Sequence, residues 1–470
     1  MIELTIPLDI ESREHIYEQI YRFIKKEIRE GSLSQGERLP STRALAAHLE
    51  VSRSTVELSY EQLLSEGYIE AVPYKGYYVC RLEGMLQMEK QDKRPTEESE
   101  PEVSYQYDFS PNGIDISRFP VSTWKKISKN VLLKSANELF AMRNPKGDLA
   151  LRKSIAKYLH SFRGVSCSVE QIIVGAGNDY LLMLLQKIMG EGRKMAIENP
   201  TYLRAYHIFS TGGYEMLTIP LDEEGMQVKE LAKSGADTAY IMPSHQFPTG
   251  VVMPIGRRME LLKWAYEEKK RYVIEDDYDS EFRYKGKPIP SLQASDRLGK
   301  VIYIGTFSKS IAPGIRVSYM VLPFSLLQNF EKNCAFLSST VSRVNQSILT
   351  EFIDDGHYEH HLNRMRKMYR QKHDLLLREL EPFKKRFKVL GEGAGVHILM
   401  QCKDKKVTEL ELIEKAQREN CCVYGISQYY VGEKREEAVQ SPATILIGYA
   451  GLTEEEIKRG VFALKKAWSI

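Results

Sequence analysis

Residues 83–105 read EGMLQMEKQDKRPTEESEPEVSY, and this stretch constrains the chain more than any other. It is dense in charge, carries Pro95 and Pro101, and has almost no apolar periodicity with which to bury a face. Such a segment has too little apolar surface to offset the entropy of ordering it, so it is expected to be a solvated linker. At about 5–6 Å times the square root of its length it spans about 25 Å. The 470 residues then divide into a first domain 1–82, the linker 83–105 and a second domain 106–470. The two flanks read as different fold classes.

Residues 1–82 read as three helices and a hairpin. Ile16, Ile20, Phe23 and Ile28 recur near helical spacing, and Gly31 can end that helix. A turn at 36–43 starts a second, short helix carrying Leu45 and Leu49 inward. Ser52 is a suitable N-cap for a third helix, which turns Val56, Tyr60, Leu63 and Leu64 to the core. Its exposed first turn carries Arg53, Ser54 and Thr55, donors of the kind a recognition helix presents to base edges. Tyr68–Val72 and Tyr77–Val79 then flank Pro73-Tyr74-Lys75-Gly76, a wing with a cation and a glycine at its tip. Ten Lys and Arg stand against thirteen Asp and Glu in this domain, so phosphate attraction must come from a local focus at Arg38, Arg43, Arg53 and Lys75. A helical protein-interaction domain with a solvated charged face is the other reading of the same pattern.

The run GERLPSTRALAAHLEVSRSTVELSYEQLLSEGY resembles the GntR family of winged-helix regulators, in which GxxLPSxRxLAxxLxVSRxTVxxAYxxLxxEGY recurs. The resemblance implies a double-stranded DNA operator as partner. It also implies DNA contacts from Ser41, Arg43, Ser52, Arg53, Ser54, Thr55, Lys75 and Gly76.

From residue 106 the texture changes to helices alternating with short apolar runs. Strands are expected at Gln171–Val174, Lys194–Ile197, Thr238–Met242, Tyr272–Ile274 and Val301–Ile304. Continuous apolar strands separated by helices argue for an α/β fold with a mainly parallel sheet covered on both faces. Ligands bind beyond the carboxyl ends of such strands. The residues there form a consistent set: Gly175-Ala176-Gly177-Asn178-Asp179 opening a helix, Glu198 to Tyr202, PSHQFPTG at 243–250, Glu275-Asp276-Asp277-Tyr278, and Gly305 to Ser310 followed by Pro313-Gly314-Ile315-Arg316. A pyridoxal phosphate site needs a lysine for the Schiff base, a carboxylate at the pyridine nitrogen, an aromatic ring to stack, and donors for the phosphate.

Residues 106–470 thus resemble a fold-type I, class I/II aminotransferase with a smaller C-terminal subdomain, and nearly the whole chain resembles a MocR/GabR-type regulator. The resemblance implies pyridoxal 5'-phosphate as cofactor, with Lys309 as the Schiff-base lysine, Asp276 on the pyridine nitrogen, Tyr278 on the 3'-hydroxyl and Tyr202 stacked on the ring. Ser308, Arg316 and the backbone of Ala176, Gly177 and Asn178 would hold the phosphate. Two departures matter. Aminotransferases carry NPTG where this chain has Phe247-Pro248-Thr249-Gly250, so the asparagine donor to the cofactor is gone. Nor does Leu446–Gly451 offer the carboxylate-binding arginine, and Gln428 stands where related regulators have another. Arg204 remains as a candidate effector clamp, or as an ordinary surface arginine.

Three functions stay open at this point: a sensor of an amino compound that changes operator binding, a sensor of the cofactor itself, and an active aminotransferase with a DNA-binding head. The first implies little or no turnover. Fold-type I enzymes generally pair, so a homodimer is expected. The six scattered cysteines lack metal-ligand spacing and suit a reducing compartment. With no basic leader and no apolar stretch of membrane-spanning length, a cytoplasmic protein without membrane contact is expected.

Overall fold

The computed structural model describes residues 4, 6–9, 12, 14–81, 104–133, 139–141, 144–284, 289–432 and 442–470. The chain forms two compact units, Met1–Glu102 and Val103–Ile470. Apart from Ser104 and Tyr105, the stretch expected as a linker lies outside the described residues.

The first unit contains α1 (Ile16–Arg29), α2 (Thr42–Leu49), α3 (Arg53–Ser65), β1 (Ile69–Val72) and β2 (Gly76–Val79). Ile20, Ile24 and Ile28 bury α1, while Phe23, on the flank of that face, is only half-buried. Ser41 and Ser52 cap α2 and α3, accepting from the amides of Ala44 at 3.1 Å and Thr55 at 3.2 Å. The buried Tyr60 hydroxyl donates to the Pro40 carbonyl at 2.9 Å, tying α3 to the entry of α2. β1 and β2 pair antiparallel from Ile69↔Val79 to Val72↔Gly76. Positive φ at Tyr74 (64°) and Gly76 (109°) lets the chain reverse within so short a turn.

In the second unit, β3 (Tyr107–Asp108) precedes the main sheet. That sheet is built from β4 (Ile172–Gly175), β5 (Lys194–Asn199), β6 (Glu215–Asp222), β7 (Gly225–Met226), β8 (Thr238–Ile241), β9 (Tyr272–Asp277), β10 (Val301–Thr306) and β11 (Ser318–Val321). Its order is β4-β11-β10-β9-β8-β5-β6-β7. β10, β9, β8, β5 and β6 run parallel, while β11 is inserted antiparallel between β4 and β10. Every residue of β4, β8, β9, β10 and β11 is buried, as expected of strands covered on both faces. β6, the two-residue β7 and β11 go beyond the five strands read from sequence. β6 is half-exposed and carries Pro220, and β11 opens on the polar Ser318, so neither gives a clear apolar run.

A second, antiparallel sheet follows, ordered β12 (Phe387–Leu390), β13 (His397–Cys402), β16 (Thr444–Gly448) and β15 (Tyr424–Gly425). β14 (Cys421–Cys422) pairs with β3. The helix His357–Glu379 leads into this smaller subdomain, whose core runs from Tyr107 and Phe109 to Trp468.

Candidate functional site

The carboxyl ends of β4, β5, β8, β9 and β10 converge on a cleft of about 130 Å³, where a parallel sheet presents its ligand site. Asn178, Tyr202, Arg204, Asp276, Tyr278, Ser308, Lys309 and Arg316 all line it, so a cleft assembles residues spread over 139 sequence positions. Asn112, Met242, Phe247 and Thr306 complete the walls with Asp179.

Lys309 is half-buried and donates to the Asn112 carbonyl at 3.3 Å. Burial pushes its amine down from 10.5 to about 8, against the attraction of Asp279. Asp276 is pushed up to about 7, first by burial and then by Asp277 and Asp279, while hydrogen bonds oppose the shift. Its Oδ2 accepts from the Tyr240 hydroxyl and its Oδ1 from Asn178 Nδ2 at 3.4 Å. Asn178 Oδ1 is buried and unpartnered among the described residues. Tyr202 is half-buried and meets Phe247 edge-on, with ring centroids 6.4 Å apart.

Backbone amides, Asp179 and two arginines gather where the chain leaves β4. The Ala176 amide donates to Thr340 Oγ1 at 3.0 Å and the Gly177 amide to the Gly175 carbonyl at 2.9 Å. Asn178 begins the helix Asn178–Met189, whose first amides have no intrahelical partner. Gly177 is held at φ 93°, ψ 168°, a conformation open essentially to glycine alone. Arg316 and Arg204 both reach Asp179 Oδ2, at 3.4 and 3.2 Å. Two guanidiniums share one carboxylate beside a helix N-terminus, which leaves a net positive corner. The Ser308 amide donates to Thr306 Oγ1 at 3.1 Å.

Tyr240, Thr340, Asn112 and Asp279 carry no local sequence signal that marks them for the site. Tyr240 lies inside a strand and Thr340 is 164 positions from the amide that it meets. Only the fold brings them in. Gln428 is exposed and does not line the cleft.

In the first unit, Ser41, Arg43, Ser52, Arg53, Ser54 and Lys75 are exposed, and Thr55 and Gly76 are half-buried. Ser52 Oγ lies 2.8 Å from Ser54 Oγ and 2.7 Å from Thr55 Oγ1, so the three hydroxyls form one cluster at the start of α3. Arg53 pairs with Glu57 one turn on, at 2.8 Å. Among the described residues no group of His, Cys, Asp and Glu could hold a metal, and no helix is long and apolar enough to cross a membrane.

A helix-capped, winged unit followed by an α/β unit with a lysine and a buried carboxylate in one cleft defines a regulator built on a transaminase fold. The chain belongs to the aminotransferase class I and II family, which it matches over residues 110–464, and residues 16–79 match the bacterial regulatory proteins of the gntR family. It is 38% identical to the HTH-type transcriptional regulator YdeL of Bacillus subtilis (strain 168), over 97% of each chain. It is 28% identical to the probable rhizopine catabolism regulatory protein MocR of Rhizobium meliloti, over 98% of this chain and 95% of that one. Among solved structures it is similar to Pyrococcus horikoshii kynurenine aminotransferase in complex with PMP, with a TM-score of 0.68 and 26% identity over 78% of this chain and 91% of that one. The chain is therefore an HTH-type transcriptional regulator with an aminotransferase-like unit, and its gntR-type head implies DNA binding.

Proposed function

We propose that this regulator binds pyridoxal phosphate in the cleft, senses an amino compound there, and changes operator binding in response. The observation that carries the reading is the shared cleft: a lysine amine held near pH 8 and a buried carboxylate near 7 stand with a positive corner at a helix N-terminus. The residues fit the cofactor on their own chemistry. Asp276 is a buried acceptor suited to a protonated ring nitrogen, and Gly177 leaves the Arg316 corner free of a side chain. Tyr202 offers a face for stacking, and Tyr278 a phenol for the ring oxygen. Arg316, Ser308 and the first turn after Gly177, including Asn178, would hold the phosphate, with the Ala176 backbone alongside. When bound, pyridoxal phosphate supplies an electrophilic carbon that condenses with amines and a chromophore that reports it.

The chain's own groups set the rest. Lys309, partly neutral near pH 8, is the exchangeable amine. Arg204, 65% exposed, would meet an acidic group on the effector. With Gln428 outside the cleft and no arginine in Leu446–Gly451, the site lacks the fork that an α-carboxylate is given in aminotransferases. An amine sensor without turnover follows better from this than a transaminase. Residues 83–105 act as the spacer between the winged domain and the effector domain. The hydroxyl cluster at Ser52, Ser54 and Thr55, with Ser41, Arg43, Arg53, Lys75 and Gly76, contacts operator DNA. We place the protein in the cytoplasm as a homodimer, whose paired heads suit a repeated operator.

The test is to load the full chain with pyridoxal phosphate and titrate α-, β- and γ-amino acids, an aminosulfonate and a dipeptide. The visible spectrum and operator binding are followed together, with Lys309→Ala as control. A lasting spectral shift with altered DNA affinity and no keto product supports the sensor. Cofactor-dependent DNA binding that no amine alters makes the cofactor itself the signal. Cycling with keto-product release makes the protein an enzyme.

A further inference from the structure

The loop 243–250 holds a buried histidine to which the cofactor reading gives no task. His245 is 1% exposed. Its Nδ1 lies 2.8 Å from Asp279 Oδ2 and 2.9 Å from the Tyr278 hydroxyl. Its Nε2 is buried and has no hydrogen-bond partner among the described residues. Two glycines make room for the ring: a Cβ on Gly395 would stand 1.9 Å from its Cε1, and one on Gly250 would stand 3.4 Å from its Nε2. All the polar contacts of this imidazole are thus made through one edge, and that edge faces the wall of the cleft formed by Tyr278.

The groups around it decide what that edge does. Asp279 is 1% exposed, and its Oδ1 is unpartnered among the described residues. Asp277 is occupied by Arg163 at 2.7 Å and by Tyr303, and Asp276 by Tyr240 and Asn178. On the side of the smaller subdomain, His397 lies with its ring centroid 5.2 Å from that of His245. Its Nε2 donates to the Pro248 carbonyl at 3.0 Å, and burial pushes it down to about 3, so it is neutral. The Asp279 carboxyl raises the pKa of Lys309, and the His245 edge is placed to donate to its Oδ2. Phe247 stands in this same loop where aminotransferases have an asparagine; the imidazole is two residues earlier.

We propose that His245 is a positioning residue of the cofactor cleft: its Nδ1–H fixes the Asp279 carboxylate beside the Tyr278 phenol and tempers the pull of that carboxylate on the Lys309 nitrogen. The inference rests on the cofactor reading above. Without the donor, Asp279 is less compensated and favours a proton on Lys309 more strongly, so the nitrogen holds its proton to higher pH.

The experiment titrates the visible band of the full-length, pyridoxal-phosphate-loaded chain with pH. In His245→Leu the midpoint is expected to rise by about one pH unit or more, the scale of a newly exposed neighbouring charge. In His245→Gln, which keeps an N–H for Asp279, it should stay close to the unsubstituted value. In Asp279→Asn it should fall, and adding His245→Leu to that background should no longer move it. Equal midpoints in every variant, with only weaker cofactor binding, would make His245 a packing residue and overturn the proposal. Should His245→Leu not fold, the Asp279→Asn and His245→Gln midpoints still decide: Asp279→Asn unmoved, or Gln shifted as far upward as a lost donor requires, refutes it. An unsubstituted chain that binds no pyridoxal phosphate overturns the cofactor reading, and this inference with it.

Discussion

Replacing Gly177 by alanine tests the anion seat, because one methyl group acts there in two separable ways. The backbone at φ 93°, ψ 168° is a region that residues with a Cβ avoid, at a cost of about 1–3 kcal/mol. That strain is present with or without ligand, so it lowers the thermal midpoint and leaves affinity untouched. The new Cβ would also stand 2.7 Å from Arg316 Nη2 and 2.9 Å from its Cζ. Arg316 is 52% exposed, so its guanidinium can swing away with little further strain. It then leaves Asp179 and the place where a phosphate would lie. A charge-assisted hydrogen bond is worth about 1.5–3 kcal/mol, which at about 1.4 kcal/mol per decade is roughly a 10- to 150-fold loss of affinity. The assay pairs a thermal melt with pyridoxal phosphate titration followed by absorbance, using Arg316→Ala as comparison. Gly177→Ala should lose both midpoint and affinity, and Arg316→Ala chiefly affinity. Unchanged affinity in Gly177→Ala would show that the glycine does not clear space for Arg316 at the ligand, and the reasoning would fail.

Other consequences can be measured directly. Glu57→Ala frees Arg53 from its partner and removes an anion from α3, the helix proposed to contact operator DNA, so non-specific DNA binding should strengthen. Its log affinity should fall more steeply with log salt, by about 0.9 per added phosphate contact, in a fluorescence-anisotropy series; an unchanged slope counts against it. Ser52→Ala removes the cap of α3 and the centre of the hydroxyl cluster. Hydrogen exchange at the start of α3 should speed up by the equivalent of about 1 kcal/mol, with operator affinity reduced. For Lys309, pulsed amine labelling of the ligand-free chain should follow a midpoint near pH 8. Because the folded-state value lies below the ordinary 10.5, the unfolded chain binds more protons between about pH 8 and 10.5. This lysine's contribution to stability therefore rises with pH across that window, and Lys309→Met should flatten the rise.

Much of the fold was legible because its signals are local. The apolar runs at 172–174, 238–241, 272–274 and 301–304 are long enough to read as strands without a neighbour. Ser52 reads as a cap because capping needs only the three residues that follow it. Lys309 and Tyr278 stand out as cleft residues because each sits just past a strand, and Asp276 because it lies in the last two residues of one, at the end where a parallel sheet exposes its loops. β11 was not legible: a four-residue strand takes its direction from the partners on both sides, and these are β4 and β10.

Local pattern was enough for the division into two units, for five strands of the main sheet, and for the residue types that arrive at their carboxyl ends. Hydrophobic period, caps and turn residues act over a few positions, so they can be read in one dimension. Packing sets how those residues are charged and held. Tyr240 and Asn178 come from β8 and the helix after β4 to claim the two oxygens of Asp276. Thr340 accepts from the Ala176 amide across 164 positions. Arg204 and Arg316, 112 positions apart, share Asp179. Burial and the distance between charges set protonation and hydrogen-bond choice, and both are properties of packing that no local pattern encodes.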